Sequence, residues 1–163
     1  MSAPAPGKAA VFVAPRADWP AILRQTAIEV FSTMVGVSLT TPPNGNVPVL
    51  AQVTGMVGIA GQVSAIFSLR CSLDAAADIA SRMLHVPTEE AVAQRCDAIA
   101  EICNIVAGYF KANIGLGDVC QLSLPTVLVG TDYQLRSRSN DVKMELPLLQ
   151  ESEPIWIALQ VRP

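Results

Sequence analysis

Two polar side chains on a predicted helix, Glu101 and Asn104, have the types and the spacing that could carry chemistry. Residues three apart lie on the same side of a helix. A carboxylate can hold a partner's ammonium or guanidinium through a charge-assisted hydrogen bond, and an amide can both donate and accept. Because an amide is a poor base, the pair favours a reaction in which the electrophile is already activated and a water molecule has only to be oriented. Phosphoryl transfer, where a metal ion often stabilises the charge, is the clearest such case.

The same side of this helix carries a longer polar stripe. With about 100° of rotation per residue, the stripe follows Asp97, Glu101, Asn104, Gly108 and Lys111. An ordinary solvated face is the usual explanation of such a stripe. However, a glycine in a helix interior costs about 1 kcal/mol relative to alanine, and such a residue often marks the close approach of another backbone. The stripe is therefore also a possible docking surface. The opposite side is apolar and is predicted to face the core, with Val92, Cys96, Ile99, Cys103, Val106 and Phe110.

The elements that must position this helix can be predicted from hydrophobic periodicity. The order of helix, strands, two helices and strands predicts an α+β fold, an antiparallel or mixed sheet covered on one side by long helices. Asp18 and Ser72 are expected to be N-caps, Gly36 is expected to end the first helix, and Ala60-Gly61 is expected to turn a hairpin. The predicted helices cover residues 19–35, 73–84 and 89–114, and the predicted strands cover residues 37–40, 49–59, 62–71, 119–124, 126–129, 142–149 and 155–161.

Composition excludes several classes of protein. The 163 residues are 51% hydrophobic and 15% charged, with a formal net charge of -3 and one His. We expect a single domain over residues 17–163 after a leader of residues 1–16. The acidic balance argues against nucleic-acid binding, which needs clustered Lys and Arg. One His leaves no His-rich metal site. No stretch reaches the roughly 20 apolar residues that span a membrane.

The cysteines also bear on the class of protein. No C-x-x-C spacing occurs among the four cysteines, which are Cys71, Cys96, Cys103 and Cys120. The sequence therefore lacks the pattern of zinc-ribbon and thioredoxin-like sites. We expect the cysteines to be small buried hydrophobic residues in a reducing, cytoplasmic compartment, with a redox switch as the alternative.

The polar stripe resembles the motif helix of the CheC/CheX/FliY chemotaxis phosphatases, and the chain is identified as a CheX-like member of that family. The family motif is Asp or Ser, three residues, Glu, two residues, Asn, and a Pro about twenty residues on. Here it is Asp97, Glu101 and Asn104, with Pro125 downstream. Residues 29–34, 58–64 and 77–84 resemble, in order, the family's first helix, its central hairpin and the helix that follows. The resemblance covers residues 17–130 and, more loosely, the remainder.

The resemblance implies hydrolysis of the aspartyl phosphate of a phosphorylated CheY-type response regulator. Glu101 would form a salt bridge with the active-site Lys of the regulator, and Asn104 would enter that site and orient the attacking water. The Mg²⁺ would be held by the regulator, so the chain would need no cofactor or metal of its own. Pro125 would be structural, shaping the turn beside the helix.

The resemblance also bears on docking and assembly. Asp97, Gly108 and Lys111 would contact the partner without taking part in the chemistry. CheC-type members carry a second motif on the first helix, where this chain has Gln25, Glu29 and Ser32. Because Ser32 replaces the Asn, we expect one site, with Glu29 a surface residue. That is the CheX arrangement, which implies a homodimer.

Two other functions remain open from the residues themselves. The first is a non-catalytic binding module that docks a response regulator or an adaptor through the same helix face. The second is a metal-dependent hydrolase, for which the sequence offers no cluster of ligands. The presence of both Glu101 and Asn104 favours the phosphatase.

Overall fold

An antiparallel sheet is the base of the fold in the computed structural model, which describes residues 12–48, 50–136, 138 and 140–163. Within those residues seven strands form one sheet in the order β1-β6-β7-β3-β2-β4, and β5 also pairs with β2. The strands are β1 (Leu39–Thr40), β2 (Val53–Gly61), β3 (Ser64–Cys71), β4 (Cys120–Leu122), β5 (Thr126–Val129), β6 (Val142–Gln150) and β7 (Glu153–Arg162). The predicted α+β class is confirmed.

Helices pack on the face of the sheet where the alternate strand residues are buried. They are α1 (Trp19–Val30) with a π-helical turn (Phe31–Val35), α2 (Leu73–Leu84), α3 (Thr88–Ala91), a 3-10 turn (Val92–Gln94) and α4 (Arg95–Asn113). Gly36 ends the π-helical turn with a φ of 74°, as predicted for the end of the first helix. The predicted cap of α2 is also confirmed, since Ser72 Oγ accepts a hydrogen bond of 3.0 Å from the amide of Ala75.

The core between the helices and the sheet fixes the orientation of α4. Its residues Ile99, Cys103, Val106 and Phe110 are buried, as the apolar side of the predicted helix requires. Phe110 packs edge-on against Trp19 of α1, with ring centroids 5.8 Å apart. Since this side of α4 faces the core, the start of the polar stripe is exposed, whereas its end, at Gly108 and Lys111, lies beside β4.

The long helix predicted over residues 89–114 is interrupted. Thr88–Ala91 forms α3, and α4 begins only at Arg95 after the 3-10 turn. A 3-10 turn winds more tightly than an α-helix and so shifts the phase of the side chains. Ala91 remains buried, whereas Val92 leaves the apolar side and is 42% exposed. The prediction that Val92 faces the core is therefore wrong, and Cys96, also predicted to be buried, is only half-buried.

One further local prediction, that Asp18 caps α1, is wrong. Asp18 has helical backbone angles, whereas a capping residue is normally extended, and its carboxylate accepts from Arg16 Nε at 3.1 Å instead of capping α1. The predicted hairpin between β2 and β3 is confirmed: its ladder ends at the pair Ile59 and Ala65, and Ala60 and Gly61 lie in the connection, where they also pair with β4. Residues 1–11 of the predicted leader lie outside the described residues. In the described part of the chain, no helix is long and apolar enough to span a bilayer.

Candidate functional site

The polar stripe lies on the outward side of α4, as its spacing predicts. Asp97 and Glu101 are exposed, and Asn104, Gly108 and Lys111 are half-buried. Because the opposite side of α4 is fixed in the core, the backbone that carries Glu101 and Asn104 is held rigidly. Side chains on such an element keep their relative positions better than side chains on a loop.

Glu101 and Asn104 are available to a partner. Among the described residues, the side chains of α4 that donate N–H or O–H hydrogen bonds are those of Lys111 and Asn113. Both lie at the C-terminal end of the helix. The ion pairs in the same part of the chain involve none of the stripe residues. The carboxylate of Glu101 and the amide of Asn104 thus keep their hydrogen-bonding capacity for another molecule.

Gly108 is not required by the packing of the chain on itself. A Cβ at this position would meet only Leu122 Cδ1, at 3.7 Å, which is an ordinary van der Waals distance. The cost of a glycine in mid-helix therefore has no internal compensation in the described fold. A flat surface next to Asn104 is the structural result.

Lys111 has a partner inside the chain. Its Nζ donates to the carbonyl oxygens of Gly117 and Cys120, both at 2.8 Å, and so ties the end of α4 to the start of β4. The structure thus gives this residue an internal bracing role, and we leave it out of the docking surface proposed below.

Pro125 lies in a break in the edge strand beside α4. Both β4 and β5 pair with β2, and residues 123–125 separate them. Ser123 holds this break to β2, because its amide donates to Gly58 O and its Oγ accepts from Gly58 N, each at 2.8 Å. Proline has no amide hydrogen to continue the ladder. The break exposes Leu124, which is 89% accessible.

A cleft beside the stripe was missed from the sequence. It lies between α1 with its π-helical turn and α4, and Met34, Ile105 and Tyr109 are among its lining residues. Tyr109 follows Glu101 by eight residues on the same helix side, which was a usable signal. Glu29 is exposed at this cleft, as expected of a surface residue, and accepts from Gln25 Nε2 at 2.8 Å.

Other chemistries find little support in the described residues. No group of three or more His, Cys, Asp or Glu side chains in that part of the chain could hold a metal ion. Burial raises the pKa of Cys71 to about 12, and burial also raises the pKa of Cys103. These thiols therefore stay protonated at neutral pH and are poor nucleophiles.

Comparison with known families identifies one match. The family described as chemotaxis phosphatase CheX matches residues 53–149, which include the whole of α4 and the break at Pro125. Among curated proteins, none matches the chain in sequence.

Solved structures with the same fold include three that cover almost the whole chain. A CheC-like superfamily protein from Shewanella sp. PV-4 has a TM-score of 0.75 at 21% identity, covering 91% of this chain and 100% of that one. Chemotaxis protein CheX from Vibrio vulnificus has a TM-score of 0.73 at 22% identity, covering 92% and 100%. A CheX–CheY–BeF3–Mg²⁺ complex from Borrelia burgdorferi has a TM-score of 0.73 at 20% identity, covering 91% and 100%.

Proposed function

The chain belongs to the CheX family of chemotaxis phosphatases, and from that membership we propose that it hydrolyses the aspartyl phosphate of a phosphorylated CheY-type response regulator. Hydrolysis breaks the bond between phosphorus and the aspartyl oxygen. The water oxygen bonds to phosphorus, inorganic phosphate leaves, and the aspartate carboxylate is regenerated. The complex of CheX with CheY, BeF3 and Mg²⁺ from Borrelia burgdorferi supports such a partner by analogy.

Asn104 is the residue proposed to orient the water. Its amide oxygen can accept a hydrogen bond from the water while its nitrogen donates to the phosphoryl group or the regulator. Orientation alone can contribute several kcal/mol to a reaction whose electrophile is already activated. An acyl phosphate is such an electrophile, so the absence of a strong base next to Asn104 is no obstacle. The rigid backbone of α4 supports this role.

Glu101 is proposed to hold the regulator in place. Its exposed carboxylate, which forms no ion pair in the described residues, can accept from the ammonium group of the regulator's active-site Lys. The Mg²⁺ bound by the regulator would supply charge stabilisation for the phosphoryl group. Asp97, one turn before Glu101, and the flat surface at Gly108 would complete the contact.

The observation that carries this proposal is that Glu101 and Asn104 project from one side of a fixed helix with no partners inside the described fold. The test is the decay of a phosphorylated response regulator with and without the protein. Asn104→Ala should remove the acceleration while leaving binding intact. Glu101→Ala should weaken both the binding and the acceleration, because it removes the docking charge as well as a contact at the site.

Matched variants separate these effects from damage to the fold. Glu90→Ala removes an exposed carboxylate from α3, outside the stripe, and should leave the decay rate at its wild-type value. Wild-type protein that binds a phosphorylated regulator without accelerating its decay would contradict the phosphatase and support the alternative, a non-catalytic binding module.

Assembly as a homodimer is part of the same proposal. Leu124 and Val129, near the edge of the sheet, are 89% and 54% exposed, and apolar side chains at a strand edge favour contact with a second copy. Light scattering at micromolar concentration should give a mass near twice 17.2 kDa. A species of the single-chain mass would contradict the dimer while leaving the phosphatase activity to be judged by the decay assay.

A further inference from the structure

The cleft between α1 and α4 has the size of a site for one side chain. Its volume is about 250 Å³, slightly below the roughly 300–1,000 Å³ of most small-molecule sites. The π-helical turn that continues α1 places Thr33 and Met34 on one wall, and Ile105 and Tyr109 of α4 form the other. π-helical turns are rare, but those that occur are often found at functional sites.

Building on the proposed function, we propose that this cleft receives an apolar side chain of the response regulator, beside a Lys or Arg of the regulator that pairs with Glu29. The cleft would then be the second anchor of the complex, next to the helix side that carries Glu101 and Asn104. The partner is a protein surface on which an apolar side chain and a cation are neighbours.

The cleft continues the side of α4 that carries Glu101. Glu101, Ile105 and Tyr109 follow one another at intervals of four residues, so they lie one above the other on the helix. A regulator that presents its phosphoryl group to Asn104 and its Lys to Glu101 therefore brings the adjoining part of its surface over the cleft.

The walls of the cleft suit an apolar side chain. Tyr109 is 60% exposed and Met34 is 39% exposed, although both are large and mostly apolar. Tyr and Met are enriched in the cores of protein interfaces, and the flexible Met side chain adapts to the shape of its partner. An apolar side chain seated between them would cover area that water now contacts.

The rim of the cleft and the stripe beside it carry negative charge. Glu29 at the cleft accepts only from the neutral amide of Gln25, and within the described residues no cation pairs with it. Asp97 and Glu101 are also without ion pairs in that part of the chain. Three carboxylates thus lie along the stripe and the cleft, and none of them is in an ion pair within the described residues. This surface is complementary to a cationic partner and would speed its association.

The experiment measures steady-state dephosphorylation at varied concentrations of a phosphorylated regulator. Tyr109→Ala and Met34→Ala should each raise KM about tenfold, the effect of losing an interface hot spot, while kcat is retained. Both side chains are partly exposed, so the fold should survive. Glu29→Gln should raise KM and reduce its dependence on salt, because one long-range attraction is lost.

Ile66→Ala is the matched control. Ile66 is 45% exposed on β3, between two inward-facing residues, and so lies on the sheet face opposite to the helices. This variant should keep the wild-type KM.

The possible failures are distinguishable. Active wild-type protein whose KM is unchanged by Tyr109→Ala and Met34→Ala would overturn this inference and leave the proposed function standing. If these variants instead dissociate a dimer while KM stays constant, this inference is likewise overturned and the proposed function stands. The cleft would then belong to the contact with a second copy. Wild-type protein that accelerates the decay of no regulator from its host would overturn the proposed function and this inference together.

Discussion

Gly55 of β2 lies directly beneath Cys103 of α4, and a Cβ at position 55 would be 2.5 Å from Cys103 Sγ. Cβ atoms do not come this close to a non-bonded heavy atom in real proteins. Only glycine at this position therefore allows α4 its present distance from the sheet. The placement of the polar stripe therefore depends on a residue on the far side of the helix that touches none of the stripe residues.

Gly55→Ala should destabilise the protein. The added methyl group would also lie 2.7 Å from Ile99 Cγ2, so both core side chains of α4 would have to move. Overpacking of this kind costs about 1–3 kcal/mol. Urea denaturation followed by circular dichroism should show the transition midpoint at a lower urea concentration, with an unchanged slope. A midpoint equal to that of the wild type would mean that α4 can move away from β2 at no cost.

Gly108→Ala should have the opposite effect on stability. The new Cβ would make an ordinary contact with Leu122, and the helix would gain up to about 1 kcal/mol from the better propensity of alanine. In the proposed complex, however, the methyl group lies on the surface that the regulator covers. The same variant should therefore raise KM in the dephosphorylation assay. A more stable protein with an unchanged KM would remove Gly108 from the docking surface.

Lys111→Met should destabilise the protein without the loss of kcat expected of a catalytic residue. The methionine keeps most of the apolar stem but leaves the carbonyls of Gly117 and Cys120 without their donor. Leaving such groups unpaired costs about 1–3 kcal/mol, which denaturation with urea can measure. Lys143→Met, at an exposed position of β6, is the control and should have little effect. A large rise in KM for Lys111→Met at full stability would restore the docking role predicted from the sequence.

Stability should fall at alkaline pH because of the buried thiols. Burial, and to a lesser extent the charge of Glu153, raises the pKa of Cys71 from 9.0 to about 12. The folded state therefore retains a proton that the unfolded chain releases above about pH 9, so the free energy of unfolding decreases as pH rises through that window. Below about pH 9 this group contributes no pH dependence.

Denaturation with urea at about pH 8 and about pH 10.5 tests this prediction. Cys71→Ala should show a smaller loss of stability between the two pH values than the wild type. Cys96→Ala, at a half-exposed position, is the matched control and should keep the full loss. Equal losses for wild type and Cys71→Ala would assign the pH dependence to other groups.

The elements that depend on local sequence were predictable. Ser72 caps α2 because its side chain reaches the amide three residues on, and α4 turns Ile99 and Cys103 inward because apolar residues recur at helical spacing. The polar stripe follows from the same periodicity, so the position of Asp97 and Glu101 on the outward side of α4 could be predicted from the sequence.

Features that depend on tertiary contacts were not predictable. The acceptors of Lys111 come from the connection after α4, and nothing in the helix pattern marks them. The 3-10 turn at Val92–Gln94 continues a helical pattern in the sequence, so its change of direction is hidden. The cleft beside Tyr109 exists only because α1 packs against α4, and its far wall requires the π-helical turn.

The π-helical turn limits how a second site could arise on the first helix. Its hydrogen bond from Gly36 N to Phe31 O, at 2.9 Å, spans five residues, and the wider turn rotates each residue by less than an α-helix does. Ser32 lies inside this turn, whereas Glu29 precedes it. Val30 and Phe31, between these two residues, keep α-helical backbone angles, so Ser32→Asn would still place an amide three residues after Glu29 on the same side of the helix. The residue four positions after Ser32 is Gly36, which ends the helix, so a site built there would lack the continuing helix surface that Gly108 provides after Asn104.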